Sequence, residues 1–137
     1  MNIYKKILLP LTLNFLINSS FANSNSFNEI DTLALKGDAS AQYNLGVMYA
    51  NGRGVGQSYA KAFEWYSKAA AQGDASAQNN LGVMYDNGRG VGQSYAKAFE
   101  WYSKAAAQGY AIAQYNLGVM YANGQGVGQS YAKAFEW

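Results

Sequence analysis

Three copies of a Ser-x-x-Lys motif are the residues of this chain whose types and spacing could support catalysis. The motifs are Ser58-x-x-Lys61, Ser94-x-x-Lys97 and Ser130-x-x-Lys133. A serine at the start of a helix, with a lysine one turn later, is the nucleophile arrangement of enzymes that act on cell-wall and β-lactam substrates. The Ser-Asp-Asn and Lys-Thr-Gly motifs of those enzymes are missing from the sequence, and an active site is not normally built in triplicate. We therefore interpret each serine as a helix N-cap followed by a solvated lysine, and keep a hydrolase as the alternative.

A second candidate is the glycine-rich segment from Asn51 to Gly56, whose composition is similar to that of a phosphate-binding loop. It follows a predicted helix rather than a strand, lacks the Lys-Ser/Thr ending and recurs in every copy, so we interpret it as a helix connector. The chain also contains no cysteine and no histidine. This excludes disulfides, thiol nucleophiles, the usual zinc sites and histidine-based acid–base catalysis. The sequence therefore predicts a protein that is not an enzyme and that needs no metal and no cofactor.

The N-terminal residues 1–22 have the pattern of a secretory signal peptide. Lys5 and Lys6 precede an apolar run over residues 7–17, and Ser20 and Ala22 place small side chains before a cleavage site after Ala22. The run is too short for a membrane-spanning helix, which needs about 20 residues. Cleavage would leave eight basic and eight acidic residues, so we expect no nucleic-acid partner and no membrane span in the mature chain. The predicted location is exported, either periplasmic or secreted.

The rest of the sequence is a tandem repeat. Residues 37–72 and 73–108 are identical in 34 of 36 columns, and residues 109–137 match the first copy in 26 of 29. A period of 36 residues is in the range of helical solenoids, in which each repeat is one supersecondary unit. We therefore predict an all-α solenoid, preceded by a terminal cap helix over residues 23–36 with its N-cap at Ser26.

Each repeat is predicted to contain two helices. The first follows Asp38 as its N-cap and ends near Gly52, and the second follows Ser58 and runs to about Ala71. A glycine inside the first helix, Gly46, recurs in the other copies and predicts that a facing helix packs close to the backbone. The apolar faces are predicted to hold Ala41, Leu45, Met48 and Tyr49 in the first helix and Ala62, Trp65, Tyr66 and Ala69 in the second.

The repeat has a recognisable motif, Ala41-x-x-x-Leu45-Gly46-x-x-Tyr49-x-x-Gly52-x-Gly54-Val55, followed by Lys61-Ala62-x-x-Trp65-Tyr66-x-Lys68-Ala69-Ala70-x-x-Gly73. It resembles the Sel1-like repeat, a relative of the tetratricopeptide repeat, over residues 37–137. The resemblance implies a right-handed α/α superhelix of antiparallel helix pairs that serves as a scaffold or adaptor for protein partners, commonly in bacterial envelopes or secreted. The family often has aspartate where this chain has Ser58, Ser94 and Ser130, and both residue types are good N-caps. A cysteine-rich branch of the family is linked to β-lactam binding, which we do not carry over because this chain has no cysteine.

The copies differ mainly on the first helix of each repeat. The columns of residues 40, 43 and 50, with the column of Val47, form a stripe about 80° wide, roughly opposite the core face. We call these positions the variable stripe; its members are Ser40, Tyr43, Val47, Ala50, Ser76, Asn79, Val83, Asp86, Ile112, Tyr115, Val119 and Ala122. First helices line the concave surface of such a solenoid, so we expect the stripe to be exposed there and to bind a protein or peptide partner, with Tyr43 and Tyr115 as anchors. The alternative is neutral drift of surface residues after a recent duplication.

The third copy ends at Trp137, before the columns of Tyr66 and Ala69. Its second helix is therefore predicted to be short and loosely held, with part of the apolar face around Leu117 and Tyr121 uncovered. We expect the protein to self-associate through this end or to unfold there first. A further alternative is that the chain is a truncated copy without a stable function.

Overall fold

The structure is a computed structural model that describes residues 26–137; the predicted signal peptide and its cleavage site lie outside this range. Residues 26–35 are helical and belong to helix α1. Six further helices follow: α2 (Ala39–Asn51), α3 (Tyr59–Ala71), α4 (Ala75–Asn87), α5 (Tyr95–Ala107), α6 (Ala111–Asn123) and α7 (Tyr131–Ala134). Residues 26–137 contain no strand, so the predicted all-α fold with a short last helix is confirmed. None of the helices in this range is long and apolar enough to cross a membrane.

Each full repeat is a pair of antiparallel helices. At one end of the first pair, the side-chain Nε2 of Gln72, just after α3, donates a 2.9 Å hydrogen bond to the carbonyl oxygen of Gly37, just before α2. At the other end, the Lys61 ammonium near the start of α3 lies 5.3 Å from the ring centroid of Tyr49, near the end of α2. The start of each helix therefore adjoins the end of its partner. The same two contacts recur between α4 and α5.

The predicted capping residues set the bounds of these helices. The Asp38 carboxylate accepts a 2.7 Å hydrogen bond from the backbone amide three residues later, and Asp74 caps α4 in the same way at 2.8 Å. The Ser58 hydroxyl caps α3 at 3.2 Å. Helix α2 ends at Gly52, whose φ of 66° lies in the left-handed region that glycine adopts without strain. These bounds confirm the predictions for both helices, whereas the N-cap of α6, Tyr110, makes no side-chain cap.

The core repeats with the sequence and consists mainly of alanine and leucine, together with Tyr66, Met84, Tyr102 and Met120. Of the predicted core residues, the structure buries Ala41, Leu45, Ala62, Tyr66 and Ala69, and leaves Met48, Tyr49 and Trp65 half-buried. Met48 is less covered than expected because it lines an open groove against α1. Ile30 of α1 also lines this groove. It lies one repeat period, 36 residues, before Tyr66, and its side chain is smaller, so it covers Met48 less.

Helix α1 occupies the place of the second helix of a preceding, divergent repeat. The ring of Phe27 packs edge-on against Tyr49 with centroids 6.1 Å apart, and 36 residues later Phe63 packs the same way against Tyr85 at 5.5 Å. Helix α1 therefore covers α2 as α3 covers α4. Ser26 is already helical, so the predicted N-cap at Ser26 is wrong.

A ladder of glutamine side chains ties consecutive repeats together, and the sequence patterns did not single it out. Gln42 is buried, and its Nε2 donates a 3.1 Å hydrogen bond to the carbonyl oxygen of Ala34 on α1. Its Oε1 accepts a 2.8 Å bond from Gln72. Gln78 and Gln108 form the same ladder one repeat later. Because an unpaired buried amide costs about 1–3 kcal/mol, the ladder favours one register between neighbouring repeats.

Candidate functional site: the groove between repeats

The serines of the Ser-x-x-Lys motifs are helix N-caps, as predicted. The Ser58 hydroxyl accepts a hydrogen bond from the Lys61 backbone amide, and the Lys61 ammonium lies over the Tyr49 ring in a cation–π contact. Both contacts recur in the other two copies. In each motif the serine therefore caps a helix and the lysine packs on an aromatic ring. Residues 26–137 also contain no group of metal-ligating side chains that could hold an ion.

The glycine-rich loops are helix connectors, as predicted, and they also pack on the preceding repeat. The loop after α4 brings Gly90 so close to α3 that a Cβ at this position would lie 2.5 Å from the carbonyl oxygen of Tyr59. The φ of 70° at Gly90 also favours glycine. This contact places the neighbouring residue, Arg89, at the edge of a groove between the first two repeats.

The groove between the first two repeats is open to solvent and has a volume of about 350 Å³. We call it the first groove; α2, α3 and α4 form its walls. Its lining includes three members of the variable stripe on α2, namely Tyr43, Val47 and Ala50. It also includes residues that the stripe did not contain, namely Tyr59, Tyr66, Asn80 and Arg89. The sequence analysis missed these residues because they do not lie on α2. Helical periodicity groups only residues that share one face of the same helix.

Tyrosine hydroxyls, asparagine amides and one guanidinium give the first groove its polar character. The rings of Tyr43 and Tyr66 pack with centroids 5.8 Å apart. Burial raises the pKa of Tyr66 to about 12 and also raises the pKa of Tyr43, and a hydrogen bond with Asn80 opposes the shift at each hydroxyl. The Arg89 guanidinium lies 5.5 Å from the ring centroid of Tyr59. The first groove thus combines aromatic, amide and cationic groups.

The prediction that the whole variable stripe is exposed is wrong for the first two copies. Tyr43, Val47 and Ala50 are half-buried because they pack against the core that α4 completes. Asn79, in the column of Tyr43, is 4% exposed and accepts a 3.2 Å hydrogen bond from Asn116 on α6. Among the remaining members of these copies, Ser40 is exposed, and Ser76, Val83 and Asp86 are half-buried.

In the third copy the stripe is open, and its exposed members are Ile112, Tyr115 and Val119, while Ala122 is half-buried. The exposed apolar surface near the C-terminal end is therefore formed by variable-stripe residues of the third copy. The prediction that the face around Leu117 is uncovered is wrong, because Leu117 is 1% exposed. Tyr121 is half-buried, with the ring of Phe99 packed edge-on against it at 5.5 Å.

The equivalent place one repeat later, between α4, α5 and α6, has the same framework with different side chains. We call it the second site; Asn79, Asp86 and Gln125 stand there in the columns of Tyr43, Ala50 and Arg89. Burial raises the pKa of the Asp86 carboxyl. This carboxylate lies near enough to Tyr102 to add to the rise in the pKa of that hydroxyl, most of which comes from burial. The first two repeats differ only in the columns of residues 43 and 50, so both differences fall on these two places.

Stacked helix pairs of 36 residues, with an open groove between repeats, define a helical-repeat solenoid. Residues 39–74, 75–110 and 111–137 match the Sel1 repeat, and the chain belongs to the Sel1 repeat family. Sel1-like repeat proteins are generally protein-interaction scaffolds and are typically not enzymes. None of the curated proteins matches this chain.

The fold is similar to that of solved Sel1-like repeat proteins. One is c5321, a protective antigen present in uropathogenic Escherichia coli strains, which is 42% identical with a TM-score of 0.81 over 83% of this chain and 24% of its own. Another is a Sel1 repeat protein from Oxalobacter formigenes, which is 33% identical with a TM-score of 0.79 over 82% of this chain and 45% of its own. Cysteine-rich protein B of Helicobacter pylori shares the fold at 21% identity, with a TM-score of 0.66 over 82% of this chain and 84% of its own. The chain thus spans about a quarter of the first protein and less than half of the second.

Proposed function

We propose that this chain is an exported, non-enzymatic interaction scaffold that holds a peptide segment of a partner protein along the variable stripe. The observation that supports this proposal is the first groove, which is open and lined by aromatic, aliphatic and amide side chains with Arg89 at its edge. Tyrosine and arginine are enriched among the residues that contribute most to binding energy at interfaces. Tyr43 would anchor the segment in the first groove, and Tyr115, which is 70% exposed, would anchor it further along the stripe.

Peptide selection on the full chain tests the scaffold proposal. A displayed library of random peptides is expected to yield binders whose affinity falls about 30-fold in Tyr43→Ala and in Tyr115→Ala, which corresponds to about 2 kcal/mol. Lys61→Ala is the control, because Lys61 lies over Tyr49 and does not line the first groove. Its affinity is expected to match that of the native chain. Thermal melting separates binding from folding, since Tyr43 also packs against Tyr66. Absence of any binder, or equal losses in all three variants, would contradict the proposal.

The hydrolase alternative has a separate test. Because the motif serines act as N-caps, a fluorescent penicillin incubated with the full chain is expected to form no acyl-enzyme. Labelling of Ser58, Ser94 or Ser130 would instead support catalysis by these motifs.

Export is tested by N-terminal sequencing of material recovered from the cell envelope or the medium. Cleavage after Ala22 is expected to give a chain that begins at Asn23. An envelope protein that still begins at Met1 would favour an uncleaved anchor.

We also propose that the protein self-associates through its C-terminal end, because the stripe of the third copy exposes Ile112, Tyr115 and Val119 together. Tyr115→Glu would place a charge in this apolar surface and is expected to reduce the mass measured by sedimentation equilibrium. A native chain that sediments as a monomer would contradict self-association.

A further inference from the structure

The first groove and the second site carry charges of opposite sign. Arg89 and Ala50 both line the first groove, which therefore has one cationic side chain. In the second site the corresponding residues are Gln125 and Asp86, so the cation is absent and a carboxylate is added. Two substitutions between nearly identical repeats thus change the sign of the local charge.

The loops hold these residues in equivalent places. Gly90 is next to Arg89, and a Cβ added at Gly90 would lie 2.5 Å from the carbonyl oxygen of Tyr59. Gly126 is next to Gln125, and a Cβ added there would lie 2.5 Å from the carbonyl oxygen of Tyr95. The difference in charge therefore comes from the side chains and not from a different loop conformation. The same loop position in the first repeat is Arg53, which lines the groove between α1 and α2. The charge along the stacked repeats thus changes from positive near the N-terminal end to negative at the second site.

Neither charge is neutralised by the described part of the protein. The Arg89 guanidinium rests on the face of the Tyr59 ring, and no carboxylate within residues 26–137 forms an ion pair with it. A guanidinium stacked in this way keeps its N–H edge available for a bidentate bond to a carboxylate. Asp86 is half-buried, and burial alone accounts for the raised pKa of its carboxyl, with no cation to offset it. A partially buried charge without a counter-ion is costly, so a partner that supplies one is favoured.

We propose that the partner segment is a peptide that places a carboxylate at Arg89 in the first groove and a lysine or arginine side chain at Asp86 in the second site. This inference rests on the proposed function, because the segment must lie along the variable stripe to reach both places. Complementary charges at two neighbouring places determine the register and the direction of a bound segment more than its affinity. The two sites therefore discriminate between partner segments by the order of an acidic and a basic residue.

Substitutions that copy a sister repeat test the inference without introducing a residue foreign to the position. Arg89→Gln gives the first groove the residue of the second site, and Asp86→Ala gives the second site the residue of the first. Peptides selected from a displayed random library on the full native chain are expected to share an acidic and a basic residue at a fixed spacing. Arg89→Gln is expected to remove only the preference for the acidic residue. Asp86→Ala is expected to remove only the preference for the basic residue. Each is expected to weaken a selected peptide about tenfold, since bonds to charged groups are the stronger ones.

A reversal and a control complete the experiment. The double variant Asp86→Ala/Gln125→Arg makes the second site resemble the first groove and is expected to select peptides with two acidic residues. Lys104→Gln changes a charge that lies over the Trp101 ring, outside both sites, and is expected to leave the selection unchanged. A cooperative melt for each variant shows that it is folded. Native-chain peptides without a charge pattern, or variants that keep both preferences, would overturn this inference and leave the proposed function standing. Failure to select any peptide would overturn both.

Discussion

The ring of Tyr66 lies directly against the backbone of Gly46. A Cβ added at Gly46 would lie 2.6 Å from the ring atoms Cδ1 and Cε1, closer than real side chains pack. Tyr102 and Gly82 repeat the contact at 2.5 Å. The missing side chain of the glycine therefore makes room for a buried tyrosine whose ring also lines the first groove. One small residue inside a helix thus connects the packing of the pair α2/α3 with the shape of the candidate site.

Gly46→Ala is expected to destabilise the protein although alanine is the better helix former. Alanine gains about 1 kcal/mol of helix propensity, but overpacking against a buried ring costs about 1–3 kcal/mol. Thermal melting of the variant is expected at a lower temperature than that of the native chain. Gly56→Ala is the control, because nothing lies within 4 Å of a Cβ at that position. A Gly46→Ala chain that melts at or above the native temperature would show that the contact is not tight.

Gln78→Leu is expected to reduce the free energy of unfolding by about 1–3 kcal/mol, because it leaves buried polar groups unpaired. The lost bonds are the one from Gln78 to the Ala70 carbonyl oxygen and the one that Gln108 donates to Gln78. Urea unfolding measures the loss. Gln57→Leu removes an exposed bond to the Ala50 carbonyl oxygen and is expected to change stability by about 0.5 kcal/mol or less. Equal effects of the two substitutions would mean that the ladder does not stabilise the stack.

Asp74→Ala is expected to destabilise the protein by about 1 kcal/mol, because the side chain of Asp74 caps the N-terminus of α4. Asp74→Asn keeps an oxygen that can accept the same bond and is expected to remain close to the native stability. Urea unfolding of the two variants side by side separates the cap from the charge. If asparagine costs as much as alanine, the negative charge rather than the hydrogen bond stabilises this helix end.

Stability is expected to decrease as the pH rises above 10. The ordinary pKa of tyrosine is 10.0, whereas burial raises that of Tyr66 in the folded protein to about 12. Between these values the unfolded chain binds fewer protons than the folded one, so the free energy of unfolding falls with increasing pH. Below pH 10 this contribution is fully present.

Tyr66→Phe tests the origin of this alkaline sensitivity. The urea midpoint, followed from about pH 9 to about pH 12, is expected to fall less steeply in the variant than in the native chain. Part of the slope is expected to persist, because burial also raises the pKa of Tyr102. If the urea midpoint of Tyr66→Phe falls with pH as steeply as that of the native chain, the alkaline sensitivity arises from other groups.

The amino-acid sequence by itself determined where the two helices of the first repeat begin and end. Asp38 and Ser58 cap their helices as predicted, and Gly52 ends α2 with a positive φ. Capping is a local interaction between residues three or four positions apart, so its residues can be recognised without knowledge of the fold. The close packing at Gly46 was also predictable, because a glycine inside a helix is costly unless a neighbour makes use of the space.

The tertiary structure alone decided which faces of these helices are covered. Helical periodicity assigns residues to the faces of one helix, but stacking gives α2 neighbours in α1, α3 and α4. Asn79 is therefore buried against α6, whereas Tyr115, in the same column, is 70% exposed. The charge difference between the first groove and the second site also became visible only when the loop carrying Arg89 was placed beside α3. Burial depends on partners distant in sequence, and identical residues differ in exposure according to what the stack places against them.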